Sequence, residues 1–293
     1  MADPVIVGVD GSPGSRLAAQ YAAEAAQWRH APLILIHGYL HPFRYGVPID
    51  PYAIQLPPPS EAAEQMLDKT ASELRDTWPD LAVETRQVAG GPAAALIEES
   101  RGAQLLVVGS RGLGGFAGLL LGSVGSQVTA HARCPVLVVR PMEQPPAAAD
   151  PVIVGIDGSP GSAPALAVAA DEAAARGRPL VVLHVWSIDA FDEVRPTYQE
   201  TEAAAQAAAE TLLAEAVSEV RHRHPELPVE ERLVHALDPE RVLTEASQSA
   251  ALVVVGARGR GGFVGLLLGS VSQALVRHSH CPVVIAHPRG HRA

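Results

Sequence analysis

Residues 4–15 read PVIVGVDGSPGS, and residues 151–162 read PVIVGIDGSPGS. Eleven of the twelve positions are identical, at an offset of 147. Each copy opens on a continuous apolar run rich in β-branched residues, the composition of a strand buried on both faces. Asp, Gly and Ser then turn the chain, and Pro13 suits the start of a helix, where its missing N–H costs nothing. A doubly buried strand running through a turn into a helix is the opening of a parallel α/β unit.

The offset persists down the chain. Residues 105–124, LLVVGSRGLGGFAGLLLGSV, align with 252–271, LVVVGARGRGGFVGLLLGSV, with sixteen identities in twenty. Cys134-Pro135-Val136 falls on Cys281-Pro282-Val283. A period of this length is that of a whole domain, not of a solenoid repeat. The chain therefore divides into a first domain, 1–142, a Pro- and Ala-rich linker, 143–150 (EQPPAAAD), and a second domain, 151–293. Within the first unit, strands are expected at 4–9, 32–37, 81–88, 104–109 and 135–140. Helices are expected from Pro13 to about His30, from Ser60 to about Trp78, at 92–101 and at 123–133. The second unit repeats the strands near 151–156, 179–184, 229–235, 251–256 and 282–286. Strands alternating with helices predict two tandem doubly wound domains. Each is a five-stranded parallel sheet with helices on both faces. The halves differ after the second strand: 41–59 holds six prolines and reads as a stiff lid, a partner-binding loop or a solvated spacer.

Composition narrows the function classes. Of 293 residues, 47% are apolar and 18% charged, which excludes a disordered chain. The net charge of −10 does not favour a nucleic-acid backbone or an anionic membrane. No apolar run approaches the roughly 18 residues of a membrane span, and the first residues lack a signal-peptide pattern. Two cysteines make no disulfide framework, so a cytoplasmic compartment is expected. Cys134 and Cys281 read as small buried hydrophobes.

In a doubly wound sheet, ligands bind beyond the carboxyl ends of the strands where strand order reverses. Three segments converge there: the turn at Gly8 and Asp10 (Gly155 and Asp157), the end of the second strand at His37-Gly38 (His184-Val185), and the glycine-rich loop after the fourth strand. That loop runs Gly109, Ser110, Arg111, Gly112, then Gly114 and Gly115, to Gly122, Ser123 and Val124. Its second copy has Gly256, Ala257, Arg258, Gly259, Gly261, Gly262, Gly269, Ser270 and Val271. Glycines let backbone N–H groups approach a phosphate closely. Ser123 and Ser270 open helices whose free N–H groups favour an anion. Arg111 and Arg258 could neutralise phosphate charge. The alternative is a purely structural glycine turn. Asp10 and Asp157 suit a ribose hydroxyl or a weak Mg²⁺ site beside phosphates, and equally a turn or capping role.

These motifs resemble the universal stress protein A family in its tandem two-domain form: VGVDGS (7–12) and VGIDGS (154–159), the two G-x2-G-x9-G-S loops, and HARCPVLVV (131–139) with HSHCPVVIA (278–286). The resemblance covers both halves, and its loop spacing marks ATP-binding members. It implies ATP lying across strands one and four, with Asp10 and Asp157 touching the nucleotide. Backbone around His37-Gly38 and His184-Val185 would hold adenine, and the loop glycines with Ser123, Val124, Ser270 and Val271 would hold ribose and phosphates. The departures are the proline-rich loop and Gly38 in place of Val185.

Other motifs are absent. There is no G-x4-GK[S/T], and Leu121-Gly-Ser123-Val-Gly125 misses the nucleophile elbow at its first glycine. No residue is assigned to catalysis. The expectation is an ATP-binding stress-response regulator, a homodimer with an unidentified protein partner. The alternatives are a slow ATPase or nucleotidyl transferase using Asp10, Asp157 and Mg²⁺, and a partner-binding module with structural nucleotide.

Overall fold

The structure, a computed structural model, describes residues 2–39, 60–113, 121–142, 145–188, 198–260 and 268–287. The proline-rich stretch 41–59, Gly114, Gly115, Gly261 and Gly262 lie outside them. The chain divides into two compact units, Met1–Pro141 and Met142–His287.

The first unit runs β1 (Val5–Gly8), α1 (Pro13–Trp28), β2 (Leu33–Tyr39), α2 (Glu61–Thr77), β3 (Val83–Ala89), α3 (Pro92–Glu99), β4 (Leu105–Gly109), α4 (Ser123–His131) and β5 (Val136–Val139). Its strands lie in the order β3-β2-β1-β4-β5, and the paired strands are parallel. The second unit runs β6 (Val152–Ile156), α5 (Ser162–Arg176), β7 (Leu180–Trp186), α6 (Tyr198–Arg223), β8 (Val229–His235), α7 (Pro239–Ala246), β9 (Leu252–Gly256), α8 (Ser270–His278) and β10 (Val283–Ala286). Its order, β8-β7-β6-β9-β10, is the same, and its strands too are parallel. The expected α/β doubly wound sheet of five parallel strands is thus present in each unit.

The packing follows from composition. Val5, Ile6, Val7, Leu105, Leu106 and Val107 are buried, as a strand covered on both faces requires. Burying each such side chain stabilises by about 1.5–3 kcal/mol. Helix α1 presents Ala18, Ala19, Ala22, Ala23, Ala25 and Ala26 inward, so its axis can approach the sheet closely. α1 and α2 pack together over one face, α3 and α4 over the other. That split is what right-handed crossovers dictate when the strand order reverses between β1 and β4. Helix α1 begins at Pro13 with Ser12 as its cap, the Ser12 hydroxyl accepting the Ser15 amide at 3.1 Å. Ser60 holds the cap position of α2 without a side-chain cap bond. Among the described residues Cys134 and Cys281 are buried and form no disulfide. None of the described helices is long and apolar enough to cross a membrane.

Candidate functional site

Each unit holds a cavity at the carboxyl edge of its sheet, in the notch between the two central strands. Its volume is about 350 Å³ in the first unit and 410 Å³ in the second. Gly8 and Gly109, the last residues of β1 and β4, form its floor. Gly109 needs to be glycine because backbone comes too close, whereas at Gly8 the close atom is a leucine methyl that can shift. A Cβ on Gly109 would lie 2.7 Å from the Gly14 carbonyl oxygen, and one on Gly8 would lie 2.8 Å from a Leu96 methyl. The second unit repeats these approaches: Gly256 against the Gly161 oxygen at 2.7 Å, and Gly155 against Leu243 at 2.9 Å.

Asp10 ties the first and fourth loops together. Its Oδ1 accepts the Ser12 amide at 3.0 Å, and its Oδ2 accepts the Leu113 amide at 2.9 Å. Asp157 does the same with the Ser159 amide (2.9 Å) and the Arg260 amide (2.8 Å), and also accepts the Ser162 hydroxyl at 2.8 Å. Burial disfavours the charge on Asp10. The Ser12 hydroxyl, the Leu113 and Ser12 amides and the Ser15 hydroxyl outweigh it and hold the carboxyl below its ordinary range. Asp157 is lowered against the same opposition, by the Ser159 hydroxyl, the Ser159 and Arg260 amides and the Ser162 hydroxyl. A Cβ on Gly112 would overlap Asp10 Oδ2, and one on Gly259 would overlap Asp157 Oδ2. The carboxylates are therefore turn and loop clamps, and the glycines exist to let them reach.

At the loop's far end the Gly122 amide donates to the Ser110 carbonyl at 2.8 Å, and Gly269 to Ala257 at 2.9 Å. Ser110 and Ala257 thus hold the loop's base through their backbones and do not line the cavities. Gly122 and Gly269 are the cap residues of α4 and α8, and no side chain caps either helix. Ser12 caps α1, and Asp238 caps α7 by accepting the Arg241 amide at 2.9 Å, while α2, α3 and α5, like α4 and α8, have no side-chain cap bond. Ser123, Val124 and Gly125 line the first cavity, as Ser270, Val271 and Ser272 line the second. Each cavity thus ends at the N-terminus of a helix that no side chain caps. Arg111 and Arg258 stand exposed on the rims.

The opposite end is apolar. Ile36, Val108 and Leu96 line it in the first unit, Leu183, Val255 and Leu243 in the second. A Cβ on Gly38 would lie 2.6 Å from Pro92 Cα, so helix α3 can close on that wall. Val185 and Pro239 hold the equivalent places in the second cavity. His37 lines the first cavity while its Nδ1 stands 2.8 Å from the Val9 carbonyl oxygen. His184 is buried and does not line the second; its Nδ1 stands 2.8 Å from the Ile156 carbonyl oxygen. A carbonyl can only accept, so each Nδ1 carries the proton. Burial lowers the His184 pKa, opposed by the Ile156 hydrogen bond; Arg260 adds to the lowering and Asp157 opposes it.

The structure thus brings Gly8, Asp10, His37, Gly38, Gly109, Arg111, Gly112, Gly122, Ser123 and Val124 to one cavity. Gly155, Asp157, Val185, Gly256, Arg258, Gly259, Gly269, Ser270 and Val271 line the other. Sequence reasoning passed over Ser15, Pro92 and Leu96, and with them Ser162, Pro239 and Leu243. The signal was present: each pair is identical at the 147-residue offset. Arg260 was missed for the opposite reason, since its counterpart is Leu113. Among the described residues no group of three His, Cys, Asp or Glu side chains could hold a metal ion.

Comparison with known proteins agrees across the whole chain. Residues 1–140 and 149–287 each match the model of the Universal stress protein family. A universal stress protein of Mycolicibacterium smegmatis is 39% identical over 294 residues, covering 97% of each chain. One from Mycobacterium tuberculosis is 38% identical, covering 96% of each. The crystal structure of a universal stress protein from Archaeoglobus fulgidus superposes with a TM-score of 0.68 at 23% identity, covering 97% of this chain and 96% of that one.

Proposed function

The chain belongs to the universal stress protein family, and from that premise we propose that it is an intracellular stress-response regulator binding one ATP in each repeat. The observation that supports this most is the two-ended cavity. An apolar wall of Ile36, Val108 and Leu96 suits a planar base, and the uncapped first turn of α4 beside Gly112 and Arg111 suits phosphates. The second unit repeats both ends. The described loop glycines, Gly109, Gly112 and Gly122, carry no side chain to shield their amides, as close approach of a phosphate requires.

Magnesium fits less well. It takes one or two carboxylates together with phosphates. Asp10 offers one carboxylate, and both of its oxygens already accept amide protons. The nucleotide is accordingly a bound ligand that orders the two loops, read by a partner protein in the context of a homodimer, and not a substrate turned over rapidly. A ligand that binds only the folded chain stabilises it by about 2.7 kcal/mol at a hundredfold excess over Kd. The thermal midpoint of the purified chain should therefore rise with added ATP and stay unmoved by equal concentrations of ribose. A midpoint indifferent to ATP up to millimolar concentration would overturn the reading.

A further inference from the structure

The two cavities are built on the same backbone, yet they differ in charge at one place. Residue 113 of the first loop is Leu, and its equivalent in the second is Arg260. Both backbone amides do the same work, donating to Oδ2 of Asp10 and of Asp157. The side chains are therefore free to differ without disturbing the loop. Leu113 is 73% exposed and offers a phosphate nothing. Arg260 lines its cavity beside Arg258, with its guanidinium laid over the turn after β6: a Cβ on Gly158 would lie 2.6 Å from its Nη2. That turn is the edge shared with the glycine-rich loop. Among the described residues no carboxylate forms an ion pair with Arg260. The same guanidinium also lies close enough to His184 to disfavour its protonation.

We infer that Arg260 is a specificity-determining residue that makes the second site select highly charged nucleotides, whereas the first, where Arg111 is the one arginine among the described lining residues, discriminates weakly between a mono- and a triphosphate. This rests on the reading of both cavities as nucleotide sites. A hydrogen bond to a charged group contributes more than a neutral one, and an additional guanidinium favours each added phosphate charge. The ligand class of the second site is then a nucleoside di- or triphosphate; that of the first extends to monophosphates.

The test uses full-length chains in which one site is removed by Gly112→Glu or Gly259→Glu, with calorimetric titration of ATP and AMP. The Gly112→Glu chain retains the second site. There the Kd ratio of AMP to ATP should exceed that of the Gly259→Glu chain by about tenfold, with a steeper loss of ATP affinity in salt. Adding Arg260→Leu to the first variant should bring its ratio down to the other's. Adding Leu113→Arg to the second variant should raise its ratio; this gain does not depend on a damaged fold. Equal ratios in the two single-site chains, with binding intact, would overturn this inference alone. Absence of binding in every chain, the unmodified one included, would overturn the nucleotide reading itself and this inference with it.

Discussion

The carboxylate of Asp10 accepts the amide of Leu113 at 2.9 Å, and this one hydrogen bond ties loops 103 residues apart in the sequence. The tie fixes where the glycine-rich loop stands over the end of β1. Replacement by Asn keeps an acceptor for the Ser12 amide but sets an NH₂ group against the Leu113 amide. Asp10→Asn should lower stability by about 1–3 kcal/mol and loosen the first site while leaving the second intact. The carboxyl pKa is lowered in the folded chain, so its stabilisation is complete above the unfolded value, near 3.8, and fades as pH falls through the lower folded one. Urea midpoints should therefore separate wild type from Asp10→Asn at pH 7 and draw together as pH falls below 3.8. A separation that does not narrow at all as pH falls below 3.8 would show that the charge is not what matters.

His184 supplies a second pH window of known sign. Its folded pKa lies below the ordinary 6.5, because burial disfavours the imidazolium. The unfolded chain then binds the proton more readily, so stability is full above about 6.5 and declines as pH falls toward the folded value. Asn at this position can still donate to the Ile156 carbonyl yet does not titrate. The slope of stability between pH 6.5 and 5 should be shallower in His184→Asn than in wild type. Identical slopes would remove His184 from the account.

How much of this was legible in the sequence depends on the range of the interaction. Val5–Gly8 and Leu105–Gly109 were readable because a doubly buried strand advertises itself in consecutive residues. Element ends shifted by at most two residues. Helix α3 stops at Glu99, where the expected helix ran to 101, because Ser100–Gly102 tightens into a 3₁₀ turn. The loop glycines were readable from spacing. The reasons for them were not, because the atoms that exclude a Cβ come from elsewhere: Gly14 for Gly109 and Asp10 for Gly112. Val185 lines the second cavity, whereas the His184 ring is tied to the Ile156 carbonyl of the neighbouring strand, a relation that no local pattern encodes.

The close approaches themselves can be tested. A Cβ on Gly14 would press on the Arg111 carbonyl oxygen at 2.5 Å, with no flexible side chain to yield. Gly14→Ala should cost about 1–3 kcal/mol, as overpacking does. Gly102 faces open space at ordinary φ, so Gly102→Ala should be neutral or add about 0.4–1 kcal/mol through the unfolded state. Thermal or urea denaturation of the two variants reads the contrast directly. Equal effects would mean that the first turn of α1 tolerates a side chain against the Arg111 carbonyl and that this close approach is not required.

The central claim is one nucleotide in each repeat, held at the loops that Gly112 and Gly259 allow. The decisive measurement saturates the purified chain with ATP, removes the excess, denatures the protein, and counts the adenine nucleotide released per chain. Wild type should release about two, Gly112→Glu and Gly259→Glu about one each, and the double variant none, since each glutamate places bulk and negative charge against Asp10 or Asp157 and the phosphates. A double variant that still releases two nucleotides per chain, or a wild-type chain that releases none, would contradict the account.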